Sequence, residues 1–190
     1  MDHYDAGLHN DFRGSPKAFD LAMEATENSL RAGLITCWSI CVTREFLASG
    51  NIETYAAFAA SRGVHFIQLF DPFPSGRFEG MDVSLDISQF KMLEEFYISY
   101  NKNSSNKHKP LVVYPGYHQR RMGCMGNGNY YLFIDTWGNL HSCPMCRNDR
   151  QLSSVMVDLE TVTEILESSD CKVKKPILAH QAGPMERSEN

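Results

Sequence analysis

Three cysteines in the second half of the chain have the spacing of metal ligands. Cys124 is followed after thirteen residues by Gly138, after four more by Cys143 and after a further two by Cys146. Thiolates are soft ligands that select zinc, Cu(I) or an iron–sulfur cluster over hard cations. This cluster of thiols is therefore the first place to look for the function of the chain.

The residues between Cys124 and Cys143 have the pattern of a β-hairpin. Residues 130–134 are rich in strand formers, and the segment Asp135-Thr136-Trp137-Gly138-Asn139 has the composition of a turn. A hairpin here would bring the three thiols together at its base.

A fourth ligand has two candidates. Cys171 follows Cys146 after 24 intervening residues, and His141 precedes Cys143 by two, which on a strand puts both side chains on one side. Structural zinc usually takes four closed ligands, often from paired CxxC motifs, of which this chain has one. Iron–sulfur clusters also usually take four thiolates, so the spacing leaves both zinc and iron–sulfur occupants open.

Composition narrows the class of protein. The chain has 190 residues, 43% of them hydrophobic and 22% charged, with a net charge of −5. Such a balance is typical of a globular protein. A negative net charge provides no positive surface potential that would attract nucleic acid or an anionic membrane. It has no apolar run of about 18 residues, and its first residues are polar and acidic, so we expect a cytoplasmic protein without a membrane span. In a reducing compartment its six cysteines are expected as ligands or buried side chains rather than disulfides.

The first 115 residues alternate between helical and strand patterns. Helices are predicted from Ser15-Pro16 to Gly33, over 51–62 with Asn51 as the cap, and over 86–100. Strands are predicted over 34–43, 64–70 and 110–115, the first of them buried on both faces. Helices and strands alternating through short connections predict a parallel β/α sheet or barrel.

Three local patterns together resemble the C-terminal part of a radical S-adenosylmethionine (radical SAM) enzyme with a SPASM or twitch auxiliary domain. Residues 2–14, DHYDAGLHNDFRG, resemble the segment after the fourth barrel strand. Residues 42–43 with the following capped helix, and 68–76, QLFDPFPSG, resemble the fifth and sixth strands. The cysteine hairpin resembles the element that opens SPASM and twitch domains.

The resemblance implies an α/β fold in two parts. Residues 1–115 would form a partial parallel (β/α) barrel half, and residues 116–174 a small α+β cysteine-hairpin metal domain. We expect a helix near 159–168 and a disordered tail over 175–190.

The resemblance also implies cofactors and their ligands. Arg13 would hold the S-adenosylmethionine carboxylate, and Pro72 and Phe73 would contact its adenine. An auxiliary 4Fe-4S cluster would be bound by four cysteines: Cys124, Cys143, Cys146 and Cys171. The expected activity is that of an oxidoreductase, or of an enzyme that modifies a peptide or small molecule.

The chain departs from this family in two places. The defining CxxxCxxC motif is absent, and the nearest approach places Arg44 where the third cysteine would follow Cys37 and Cys41. We therefore expect that the chain alone does not cleave S-adenosylmethionine, and that another chain supplies the missing barrel half or the chain is a fragment. Pro144 stands where sulfatase-maturating relatives have a catalytic aspartate, which argues against that reaction. The alternative is a non-catalytic iron–sulfur or zinc-binding module that docks on a partner protein.

Overall fold

The computed structural model describes residues 1–123 and 133–141, Pro144, and the backbone of residues 153–154. The chain divides into two compact units, Met1–Gly116 and Tyr117–Asn190. The described residues form a mixed α/β structure with one parallel and one antiparallel sheet of three strands each.

The first unit is built on the parallel sheet. Its strands β1 (Cys37–Cys41), β2 (Phe66–Phe70) and β3 (Leu111–Val113) lie in the order β1-β2-β3. Six helices accompany them along the chain: α1 (Ala6–Arg13), α2 (Ala18–Arg31), α3 (Arg44–Ala48), α4 (Asn51–Ser61), α5 (Ile87–Lys102) and α6 (Pro115–Met122). The last of these begins at the end of the first unit and continues past its boundary. The predicted alternation of helix and parallel strand is thus confirmed.

Helix α5 begins where its sequence predicts. Asp86 is the N-cap: its side chain accepts from the backbone N–H of Gln89, whose own side chain accepts from the N–H of Asp86. This capping box satisfies two N–H groups that the first turn leaves free. The predicted cap of α4 is wrong, since Gly50 takes that position and Asn51 is already helical. The Asn51 side chain instead accepts a hydrogen bond from the Tyr4 hydroxyl over 2.7 Å.

One face of the parallel sheet forms the core. Trp38, Ile40, Ile67, Leu69 and Val112 are each at most 4% exposed. The indole of Trp38 donates to Thr26 of α2 over 2.9 Å and packs against rings of α4. Burial of these side chains is the main source of stability for the sheet.

The opposite face, which we call the open face, is partly or wholly accessible. It consists of alternate residues that the strand register aligns: Cys37, Ser39, Cys41, Phe66, Gln68, Phe70, Leu111 and Val113. Phe70, Leu111 and Val113 are 40%, 50% and 37% exposed. The prediction that strand 34–43 is buried on both faces is therefore wrong. The observed strand is also shorter, and Leu34 and Ile35 before it are exposed.

The second unit contains the predicted hairpin. Strands β4 (Phe133–Ile134) and β5 (Asn139–His141) are antiparallel, and β6 (Ser153–Ser154) pairs with the other side of β5. Gly138 in the connecting turn has φ of 81°, a left-handed conformation that glycine adopts without steric cost. The helix predicted near 159–168 and the tail predicted over 175–190 lie outside the described residues.

Within the described part of the chain, no helix combines the length and the apolar character needed to cross a membrane.

Candidate cofactor face and metal centre

Helix α1 ends with Arg13 next to Asp2. Asp5 caps the helix by accepting from the N–H of Leu8, and Gly14 ends it in a left-handed conformation. Nε of Arg13 lies 2.6 Å from Oδ2 of Asp2, whose side chain is buried, while that of Arg13 is half exposed. The two charges pair without an aligned N–H···O hydrogen bond, since Oδ2 of Asp2 accepts none.

The first residues of the chain lie along the outer edge of β1. The amino group of Met1 donates to the carbonyl of Ser39 over 3.1 Å, and the N–H of Cys41 donates to Oδ1 of Asp2 over 3.3 Å. The hydroxyl of Tyr55 fixes the same segment by donating to the carbonyl of Met1 over 2.6 Å. These contacts fix the carboxylate of Asp2, and with it Arg13, beside the end of β1.

His9 is a buried acceptor rather than a free ligand. Its Nδ1 accepts from the backbone N–H of Asp2 over 3.0 Å. Burial lowers the pKa of His9, and the N-terminal ammonium and Arg13 lower it further, although Asp2 raises it. No spacing in the sequence indicates His9 as a ligand, and in the structure it accepts the backbone N–H of Asp2.

Pro72 and Phe73 lie in the loop that follows β2. Pro72 is buried and Phe73 is half buried. Further along the loop, a guanidinium nitrogen of Arg77 donates to the carbonyl of Phe12 over 2.5 Å, and the rings of Phe12 and Phe78 lie 6.3 Å apart. The loop is thus fastened to the end of α1, so the elements that carry Arg13, Pro72 and Phe73 meet in one region.

Two further polar residues stand at the carboxyl ends of strands. The hydroxyl of Tyr114, directly after β3, donates to Oδ1 of Asp71, directly after β2, over 2.5 Å. Neither was selected from the sequence. The available signal was their position, because functional groups of parallel α/β folds gather where strands end.

The near-motif at Cys37 and Cys41 does not form a ligand set in the described residues. Both thiols belong to the open face, and Arg44 instead pairs with Asp82 over 2.9 Å. Burial, with the carboxylates of Asp2 and Asp71, raises the pKa of the Cys41 thiol to about 11. Burial also raises the pKa of Cys37. Thiols held protonated in this way are poor metal ligands.

The cysteines predicted to bind metal, Cys124, Cys143, Cys146 and Cys171, lie outside the described residues. Among residues 1–123, 133–141 and 144, no three His, Cys, Asp or Glu side chains are arranged to hold a metal ion. Residues 133–141 of the hairpin are described, and one carboxylate in them binds several of their polar groups.

That carboxylate is Asp135. It accepts from the N–H groups of Trp137 and Asn139, over 2.9 and 2.8 Å, and from the Asn139 side chain over 2.9 Å. Its Oδ2 also lies 3.1 Å from Nε2 of His141. Burial opposes ionisation, but these hydrogen bonds outweigh it and hold the pKa of Asp135 below its usual value.

His141, at the end of β5, is 4% exposed. The Asp135 carboxylate contacts its Nε2, while its Nδ1 is buried and has no hydrogen-bond partner among the described residues. The sequence identified His141 only by its spacing from Cys143. The contact with Asp135 could be found only from the structure.

A cavity of about 320 Å³ lies in the first unit, between α4 and α5. Its lining includes Glu53, Phe96, Tyr100 and Lys109. None of the residues predicted to bind a cofactor is among those that line it, so it plays no part in the candidate site.

Comparison with protein-family models finds no match for the chain, and no curated protein matches it. The functional interpretation therefore depends on the residues and their geometry.

Proposed function

We propose that the chain is part of a radical SAM-type oxidoreductase, or of a related enzyme that modifies a peptide or small molecule, and that it binds an auxiliary 4Fe-4S cluster. The observation that carries the proposal is the hairpin between Cys124 and Cys143. Its turn places Gly138 in a left-handed conformation, which explains a glycine at that position of the cysteine pattern.

The first unit supports the same proposal. Its helices and parallel strands alternate along the chain, and one face of the sheet is covered while the other is open. A sector of a (β/α) barrel has this construction, with helices outside and the other face toward the lumen. The open face carries polar groups as well as apolar ones, and the hydroxyl of Ser39 lies 3.4 Å from the amide oxygen of Gln68 across it.

The environment of Arg13 suits the carboxylate of S-adenosylmethionine. Nε faces Asp2, and Nη1 and Nη2 make no hydrogen bond to the described residues, while half of the side chain is exposed. A guanidinium can bind a carboxylate in a bidentate manner through the edge that Nη1 and Nη2 form. Pro72 and Phe73, in the loop fastened to α1, would contact the adenine. When bound, S-adenosylmethionine supplies radical hydrogen-abstraction chemistry.

The proposal gives these 190 residues a limited share of that chemistry. The chain has no CxxxCxxC motif, so its residues hold the auxiliary cluster and part of the S-adenosylmethionine pocket. Cleavage would require residues that carry this motif, which these 190 residues do not supply. The auxiliary cluster would bind the substrate or accept an electron from it.

Metal analysis of protein purified without oxygen tests the proposal. We expect about four irons and four sulfides per chain, with absorbance near 400 nm, lost in Cys143→Ala and kept in Cys41→Ala. The second variant is the matched control, because Cys41 lies in the parallel sheet. One zinc without sulfide would contradict the proposal and favour the alternative, a zinc-binding module that docks on another protein. A chain without any metal would contradict both.

A further inference from the structure

His141 differs from the other buried histidines of the described chain in the partner of its Nδ1. In His3 and His9, this atom accepts a backbone N–H, from Asp5 over 2.9 Å and from Asp2 over 3.0 Å. In His141, Nδ1 is buried and has no hydrogen-bond partner within the described part of the chain. A buried acceptor without a partner is costly, so an unmatched one calls for a physical explanation.

The contact with Asp135 determines which form of the imidazole is present. A carboxylate only accepts, so Nε2 of His141 must carry the proton that it donates over 3.1 Å. With Nε2 turned to the carboxylate, Nδ1 is the ring nitrogen that meets no hydrogen-bonding group of the described residues.

This arrangement is the one by which proteins orient a metal-binding histidine. Such a histidine donates its other ring N–H to a carboxylate or carbonyl, which fixes the tautomer and raises the basicity of the ligating nitrogen. Asp135 is itself held by the turn, through the N–H groups of Trp137 and Asn139. The turn itself therefore holds the carboxylate against the ring of His141.

We propose that Nδ1 of His141 coordinates the metal of the cysteine centre, and that Asp135 is the positioning residue for its ring. The inference rests on the proposed function for the remaining ligands, since Cys143 follows His141 by two residues in the sequence. It deepens that function by giving the centre one nitrogen ligand among thiolates. Replacing one thiolate by imidazole raises the reduction potential of an iron–sulfur centre.

Labelling the histidines with the heavy isotope of nitrogen tests this assignment. In reduced, iron-loaded wild-type protein, pulsed electron paramagnetic resonance should show a strongly coupled nitrogen whose signal changes with the isotope. His141→Ala should lose that signal, and His108→Ala, an exposed control, should keep it. If the metal is zinc, X-ray absorption at the zinc edge should show imidazole scattering that the same variant removes.

A variant of Asp135 tests whether this residue positions the His141 ring. Asp135→Asn retains a side-chain oxygen but not the charge, and should change the nitrogen coupling and weaken retention of the metal against a chelator by about 10–100-fold. A change in retention with the nitrogen coupling unaltered would reduce Asp135 to a structural residue of the turn.

The outcomes separate this inference from the proposed function. Iron and sulfide without a histidine signal would overturn the His141 assignment and leave the cluster standing. Zinc with an imidazole ligand would support His141 and overturn the iron–sulfur proposal. Absence of both metals would overturn both.

Discussion

Arg13 and Asp2 join the end of helix α1 to the edge of strand β1. Nε of Arg13 lies 2.6 Å from Oδ2 of Asp2, a carboxylate whose side chain is 5% exposed, while half of the Arg13 side chain is accessible. The positive charge of Arg13 compensates the negative charge of the buried carboxylate. The guanidinium still has N–H groups that can bind a second anion. This is the physical reason for the proposal that Arg13 binds the carboxylate of S-adenosylmethionine.

The ion pair should contribute to stability in a measurable way. Arg13→Ala leaves Oδ2 of Asp2 buried without its counter-charge, and we expect a loss of about 1–3 kcal/mol in the free energy of unfolding. The half-exposed arginine keeps the loss below that of a fully buried pair. Urea unfolding monitored by Trp38, in a Trp137→Phe background, measures it. The control Arg31→Ala, on an exposed part of α2, should change stability by less than about 0.5 kcal/mol; an equal effect at both sites would contradict this role for the pair.

His9 should make stability depend on pH. Its pKa is lower in the folded protein than in the unfolded chain, so the unfolded state binds the additional proton more readily. The stabilisation is present above the unfolded pKa of about 6.5 and is lost as the pH falls through the folded value. His9→Asn keeps an acceptor for the N–H of Asp2 but does not titrate. It should therefore show a shallower decline in unfolding free energy between about pH 7 and pH 5, and a slope equal to that of the wild type would refute the assignment.

The two thiols of β1 should differ in reactivity. The pKa of Cys41 is about 11, so roughly one thiol in a thousand is ionised at pH 8, whereas Cys37 is exposed. Peptide mapping after iodoacetamide treatment should find Cys37 modified first, and the rate at Cys41 should rise about tenfold per pH unit. The double variant Cys37→Ser/Cys41→Ser should retain the metal content of the wild type. Loss of metal from that variant would show that the near-motif supplies ligands after all.

Gly138 should be required for metal binding, not only for stability. An alanine at φ of 81° is strained by about 1 kcal/mol, and the strain falls on the turn between β4 and β5. Gly80→Ala is the matched control, with φ of 74° and no atom within 4 Å of the added methyl group. Both variants should be slightly less stable, and only Gly138→Ala should lower the metal content. Equal metal content in the two variants would disconnect the turn from the metal centre.

Elements with strong local signals could be predicted from the sequence. The helical pattern over 86–100 and the apolar segments of β1 and β2 are local features, and the structure contains these elements in the predicted order. Helices α1 and α3 were missed because they are only eight and five residues long, and each has a short polar cap instead of a long apolar stripe. Whether helices pack on one face of a sheet or on both depends on the whole fold. For this reason the prediction that β1 is buried on both faces was wrong.

The candidate site was only partly accessible to sequence reasoning. Arg13 was identified through a pattern, but its partner Asp2 depends on Met1 lying along β1, a tertiary contact without a local signal. The sequence predicted the turn that contains Asp135. It did not show that this carboxylate binds one nitrogen of His141 and leaves the other free, because that depends on the orientation of the ring.

The most direct test of the account is Mössbauer spectroscopy of the chain reconstituted without oxygen with isotopically enriched iron. We expect the spectrum of delocalised mixed-valence iron pairs typical of an oxidised 4Fe-4S cluster, accounting for most of the iron and absent from Cys143→Ala. A spectrum of ferric iron alone, of adventitious ferrous iron, or of equal intensity in the variant would contradict the claim that this hairpin builds an auxiliary iron–sulfur centre.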